Sequence, residues 1–151
     1  MKTDIELMKL ALKEAYKCPK DDEIPVGCII VDEKGNVIAK GHNKRESKHS
    51  TFAHAEIEAI NKANKIYEDW QLPNCAIYIT LEPCIMCAGA ILQARFKKIV
   101  YGAKNPKLGA FGSSINVMEA KNLNVNPEIF SGILEKECSD LLKEFFKNKR
   151  K

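Results

Sequence analysis

Residues 75–101 decide the fold: Cys75-Ala-Ile-Tyr-Ile-Thr-Leu81, then Glu82-Pro83, then Cys84-Ile-Met-Cys-Ala-Gly-Ala-Ile-Leu-Gln-Ala94, and after Arg95-Phe96 the run Lys97-Lys-Ile-Val-Tyr101. The first run is apolar, bounded by Pro73-Asn74 and by Pro83, and reads as a buried strand. Helix formers fill 84–94, and Pro83 suits the first helical position, where a missing N–H costs nothing. Lys97–Tyr101 returns to strand character. Strands that alternate with helices in this way imply an α/β sandwich.

The same alternation extends outward. Upstream, Ala53–Ala63 is a run of helix formers, preceded by a polar loop from Gly41 to Ser50. Ile24–Val31 and Val37–Ala39 flank the turn Asp32-Glu-Lys-Gly-Asn36 and predict a hairpin, which makes the sheet mixed. Residues 4–18 predict an amphipathic helix with Ile5, Met8, Leu12 and Ala15 on its apolar stripe. Downstream come a Gly-, Pro- and Asn-containing loop to Gly112, a helical turn within 113–120 and a loop over 122–127. A last helix over 131–149 carries Leu134, Cys138, Leu141 and Phe145, with Leu142 and Phe146 beside them. With no repeat or linker in between, residues 1–151 are expected to form one domain.

Composition excludes several classes. Hydrophobic residues make up 45% and charged residues 29%, as in a soluble globular protein. A net charge of +4, from 24 Lys and Arg against 20 Asp and Glu, excludes an acidic disordered chain and permits an anionic partner. No apolar run approaches the roughly 18 residues of a membrane span. The charged N-terminus (Lys2, Asp4, Glu6, Lys9) has no apolar core behind it, so no secretory signal is expected and the cytoplasm is the expected location. In a reducing compartment the six cysteines are buried apolar side chains, nucleophiles or metal ligands. Cys18, Cys28, Cys75 and Cys138 stand alone and are expected to be ordinary thiols. Cys84 and Cys87 do not.

Three motifs carry chemistry: His54-Ala-Glu56, Pro83-Cys84-Ile-Met-Cys87, and Asn43 in the polar loop. A CxxC at a helix start serves as a redox pair or gives two thiolates to a metal, and the helix N-terminus favours the thiolate in both cases. His54 turns the reading toward zinc, because a Cys₂His set leaves the fourth tetrahedral position to water. His42 and His49 are expected to be solvated loop residues. Two thiolates cancel the charge of zinc, which then polarises its water less, so a nearby carboxylate is needed to take that water's proton. Glu56 fits this role if His54 and Glu56 converge at the first turn of their helix. Glu58 is expected to be an ordinary surface side chain.

These residues match the H-x-E and P-C-x-x-C signature of the zinc nucleobase deaminases. Beyond the signature, Ile24-Pro-Val-Gly27, His42-Asn43, Thr80–Ala90, Val100-Tyr-Gly-Ala103 and Phe145-Phe146 with a basic tail resemble the bacterial tRNA-specific adenosine deaminases of the cytidine/deoxycytidylate deaminase superfamily, over nearly the whole chain. The resemblance implies a three-layer α/β/α sandwich, cytidine-deaminase-like, with a five-stranded mixed sheet, and a homodimer with one zinc per subunit. It implies that His54, Cys84 and Cys87 hold zinc and that Glu56 moves the protons. It further implies that Asn43, Val26, Pro83 and the Ala55 N–H meet the flipped base, and that adenosine at the first (wobble) anticodon position of tRNA becomes inosine.

The C-terminal helix, with Lys143, Lys147, Lys149, Arg150 and Lys151 against Glu144, fits phosphate contact. Candidate RNA contacts are Asn105, Lys107, Lys147, Lys149 and Arg150. The chain departs from the family pattern at Phe52, where Thr is usual, and at Asn105 and Asn116, where Asp is usual; loss of two acidic groups bears on how sugar hydroxyls are read. Three other readings compete. A deaminase of a free base or nucleoside would not need the basic helix. An RNA-binding protein with a structural zinc would need a fourth protein ligand, and a thiol oxidoreductase would hold no metal.

Overall fold

Side-chain alternation in the central strands decides which helix covers which face. The structure, a computed structural model, describes residues 1–20 and 22–149. In chain order it runs α1 (Asp4–Ala15), β1 (Gly27–Val31), β2 (Val37–His42), α2 (Ala55–Tyr67), β3 (Ala76–Leu81), α3 (Ile85–Gln93), β4 (Lys98–Ala103), a 3-10 turn (Val117–Glu119), β5 (Glu128–Ser131) and α4 (Glu135–Lys149). The strands form one sheet in the order β2-β1-β3-β4-β5. β1 is antiparallel to β2 and β3, while β3, β4 and β5 run parallel. The mixed five-stranded α/β/α sandwich is the expected one.

Cys28, Ile30, Ile77, Ile79, Ile99 and Tyr101 point to one face, where they pack with Ala55, Ala59 and Ile60 of α2 and Ala88 and Ile91 of α3. Ile29, Val31, Tyr78 and Val100 point to the other, against Leu7, Met8, Ala11 and Leu12 of α1 and Cys138 of α4. Burial on both faces explains why these strands read as continuous apolar runs. Among the described residues no helix is long and apolar enough to cross a membrane.

Several boundaries differ from the sequence reading. α1 starts at a capping box, in which the Glu6 N–H donates to Thr3 Oγ1 (3.2 Å) and the Thr3 N–H to Glu6 Oε1 (3.4 Å). It stops at Ala15, since Pro19 disfavours helical geometry at Cys18. Its stripe is Leu7, Met8, Ala11, Leu12 and Ala15, and Ile5 is 50% exposed. α4 begins at Glu135, because Gly132 and Leu134 take left-handed φ values of 86° and 54°. Ahead of them lies β5, a strand between the loop read over 122–127 and the helix read from 131. Only Ile129 of its four residues is shielded, so it carries little apolar signal. Pro83 stands one residue before the N-cap Cys84 and is not the first helical residue. His42 ends β2 and is partly buried. The isolated cysteines Cys18, Cys28, Cys75 and Cys138 are all buried.

Gly41 in β2 sets the height of α2 above the sheet: a Cβ there would strike the Ala55 carbonyl and lie 2.8 Å from the Ala59 N. Both are main-chain atoms, so the helix must move to relieve the clash. Gly41→Ala is expected to destabilise the protein by about 1–3 kcal/mol, measured by urea denaturation. A wild-type midpoint would refute this tight seating of α2.

Candidate active site

The sequence places each candidate ligand at a helix start. His54 is the N-cap of α2 and Glu56 its second residue, and Cys84 is the N-cap of α3 and Cys87 its third residue. Because α2 and α3 pack against each other on one face of the sheet, their positive ends point at the same small volume. The expected convergence of His54 and Glu56 at the first helical turn follows from the extended backbone at His54 (φ −75°, ψ 156°).

His54 Nδ1 lies 3.7 Å from Cys84 Sγ and 3.5 Å from Cys87 Sγ. Tetrahedral zinc with Zn–N near ~2.05 Å and Zn–S near ~2.3 Å requires N···S separations of about 3.6 Å, so the donor set fits the ion in both chemistry and spacing. Among the described residues no other His, Cys, Asp or Glu joins these three within mutual reach. Neither His42 nor His49 belongs to the cluster, nor does the buried Cys75. Within the described residues this argues against a closed, structural zinc site.

The clustered groups shift one another's protonation. A hydrogen bond from Cys87 holds Cys84 down at about 4, against its burial and with help from His54. The same pairing, together with burial and the Glu56 charge, pushes Cys87 far up. The two sulfurs share one hydrogen bond, which lowers one thiol and raises the other. The hydrogen bond to Cys84 raises His54. Burial raises Glu56 to about 7, with the neighbouring Cys84 charge adding to it.

Two buried carboxylates that the motif reading did not single out shape the surrounding loops. Glu23 accepts from the Glu46 and Ser47 N–H groups at 2.9 Å each. Glu82 accepts from the N–H groups of Asn105, Phe111 and Ser113. The available signal was an acidic residue next to an apolar run, as in Leu81-Glu82-Pro83. Glu58 is a correction: it is buried and paired with Lys48 at 2.6 Å and Lys44 at 3.8 Å. The loop that contains Lys44 and Lys48 folds back onto α2 and covers it.

Asn43 is buried between Ile24 O, to which its Nδ2 donates (3.1 Å), and the Arg45 N–H, which donates to its Oδ1 (3.0 Å). Val26 accepts the Asn43 N–H at 3.1 Å, and Ala55 is the first residue of α2, whose N–H has no partner within the helix. The Pro83 side chain is fully buried, and its carbonyl accepts from Ala110 N at 2.9 Å. A cleft of about 730 Å³ has Ile24, Leu81, Leu142 and Phe146 as apolar lining and Lys104, Asn105, Lys107, Lys143 and Lys147 as polar lining. Lys149 lines a second cleft with Arg45 and Phe145. Three candidate RNA contacts therefore share one cleft, Lys149 is in its neighbour, and Arg150 lies outside the described residues. Phe52 is 65% exposed, two residues before His54, while Asn105 and Asn116 each accept a local main-chain N–H, from Leu108 and Met118.

Residues 1–103 match the family model for the cytidine and deoxycytidylate deaminase zinc-binding region. The chain is 42% identical over 151 residues to the tRNA-specific adenosine deaminase of Bacillus subtilis (strain 168), with 100% of this chain and 93% of that protein covered. A structure solved in studies of A-to-I editing by tRNA:A34 deaminases at the wobble position of transfer RNA superposes with a TM-score of 0.85 at 38% identity, over 90% of this chain and 98% of that one. The guanine deaminase of Nitrosomonas europaea superposes with a TM-score of 0.81 at 21% identity, over 96% of this chain and 85% of that one, which is a likeness of fold.

The donor set predicts that His54→Ala, Cys84→Ala and Cys87→Ala each weaken zinc binding by at least about 100-fold, whereas His42→Ala and His49→Ala do not. Competition against a chromogenic chelator measures this, and wild-type affinity in Cys84→Ala would exclude the assignment.

Proposed function

The chain belongs to the cytidine and deoxycytidylate deaminase family, alongside its tRNA-specific adenosine deaminases, and on that premise we propose that it hydrolytically deaminates adenosine to inosine at the first anticodon position of tRNA. The observation that carries the reaction type is a buried carboxylate, Glu56, on the helical turn that begins with a metal-donor residue. The identity to tRNA-specific deaminases supports the substrate.

His54 Nδ1, Cys84 Sγ and Cys87 Sγ would hold one zinc ion per subunit. Zinc bound there supplies a Lewis acid that makes water nucleophilic near neutral pH. With its carboxyl raised to about 7, Glu56 can both accept and return a proton under those conditions. The water oxygen adds to C6 of adenine while Glu56 takes one proton and delivers it to N1. Glu56 then carries the second proton to the amino group, which leaves as ammonia, so that adenosine and water become inosine and ammonia. The positive ends of α2 and α3 stabilise negative charge in this volume. Asn43 and the Ala55 N–H are suited to read the base edge, with Val26 beside them.

The anticodon arm would lie in the lysine-rimmed cleft, its phosphates near Lys107 and Lys147. Those cations favour a polynucleotide over a free base. The whole chain acts as one domain, since a single sheet takes strands from both halves. A homodimer, to which the exposed Ile85 on the first turn of α3 offers apolar surface, and a cytoplasmic location beside tRNA complete the reading.

Incubation of zinc-loaded protein with an adenosine-containing anticodon stem-loop is expected to yield inosine; turnover of guanine without turnover of the stem-loop would overturn the substrate. Glu56→Gln should lower kcat by about 10²–10⁴-fold while zinc content stays at the wild-type level. The double variant Lys107→Ala, Lys147→Ala should raise KM for the stem-loop and flatten its log–log salt dependence by about 1–2, leaving kcat within about twofold. An unchanged salt slope would remove these lysines from the interface.

A further inference from the structure

Glu82 is only 1% exposed, yet it belongs neither to the donor cluster nor to the machinery that moves protons. Its carboxylate accepts from the main-chain N–H groups of Asn105 (3.2 Å), Phe111 (3.0 Å) and Ser113 (3.2 Å) and from the Ser113 hydroxyl. Among the described residues no Lys, Arg or His forms an ion pair with it. Four donors occupy its two oxygens, so the negative charge is held by dipoles alone. Gly109 passes so close that a Cβ there would strike the carboxylate.

The same residue is anchored on its other side. Its N–H donates to Ala103 O at the end of β4 (2.8 Å), and the next carbonyl, that of Pro83, accepts from Ala110 N (2.9 Å). The residue after that is Cys84. One short segment therefore joins the candidate metal ligand to the loop that carries Lys104, Asn105 and Lys107 into the large cleft.

We propose that Glu82 is a positioning residue that locks the loop 104–113 to the metal-ligand segment, so that RNA held in the cleft and the base to be deaminated share one rigid frame. This deepens the function proposed above and rests on the cleft being where RNA binds. Glutamine is not a substitute: it keeps one acceptor oxygen and turns an NH₂ group toward N–H donors, leaving buried donors unpaired.

The test is steady-state kinetics of zinc-loaded wild type, Glu82→Gln and Ser113→Ala on an anticodon stem-loop, with zinc content and amide exchange followed in parallel. Glu82→Gln is expected to keep its zinc, to raise KM by about tenfold with kcat within about twofold, and to speed exchange at Asn105, Phe111 and Ser113. Ser113→Ala removes one donor at the half-buried rim of the clamp while leaving the Glu82 carboxylate in place, and should raise KM by about threefold. An unchanged KM in both variants, or a fall in kcat at constant KM, overturns the proposal. If wild type makes no inosine from the stem-loop, the substrate reading falls on its own. Exchange in Glu82→Gln then decides the clamp, with faster exchange at the three amides supporting it and unchanged exchange overturning it.

Discussion

Three donor atoms from segments 30 residues apart in the chain must come within 4.8 Å of one another, and the rest of the architecture serves that requirement. Two helix N-termini meet it because α2 and α3 lie side by side on one face of the sheet. Gly41 lets α2 sit low on β2, and β3 feeds almost directly into α3 through Glu82 and Pro83. The N-cap position then aims His54 and Cys84 past the helix ends instead of along their sides.

Ionisable groups are concentrated in this small volume, with Cys84, Cys87 and Glu56 all within or at the first turns of the two helices. Burial raises Glu56 and, with the Cys84 pairing, raises Cys87, while hydrogen bonding lowers Cys84. On the function proposed above, a dication would relieve this opposition, and a raised carboxyl suits a group that both takes and returns protons. The donor cluster and the raised Glu56 carboxyl thus arise from the same packing.

The protein handles its other buried acids in two ways. Glu23 and Glu82 are satisfied mainly by main-chain N–H groups, and the loops they gather present Lys104, Lys107 and Arg45 to the clefts. Glu58 takes the opposite course and pins Lys44 and Lys48 onto α2.

The layered α/β fold, the hairpin and the metal-donor triad were legible in the chain because they rest on local signals: runs of buried β-branched residues, a CxxC behind a proline, a histidine two residues from a glutamate. β5 was not, since a short, mostly exposed strand takes its hydrogen bonds from β4 and shows little apolar pattern of its own. Ile5 and Glu58 were misread for a related reason, because the sheet and the folded-back loop decide what a helix face meets. The residues alone thus determined which groups could converge as metal donors. Only the tertiary structure decided which acids are buried, which loops they hold and which lysines stay free, because those outcomes depend on donors that come from distant parts of the chain.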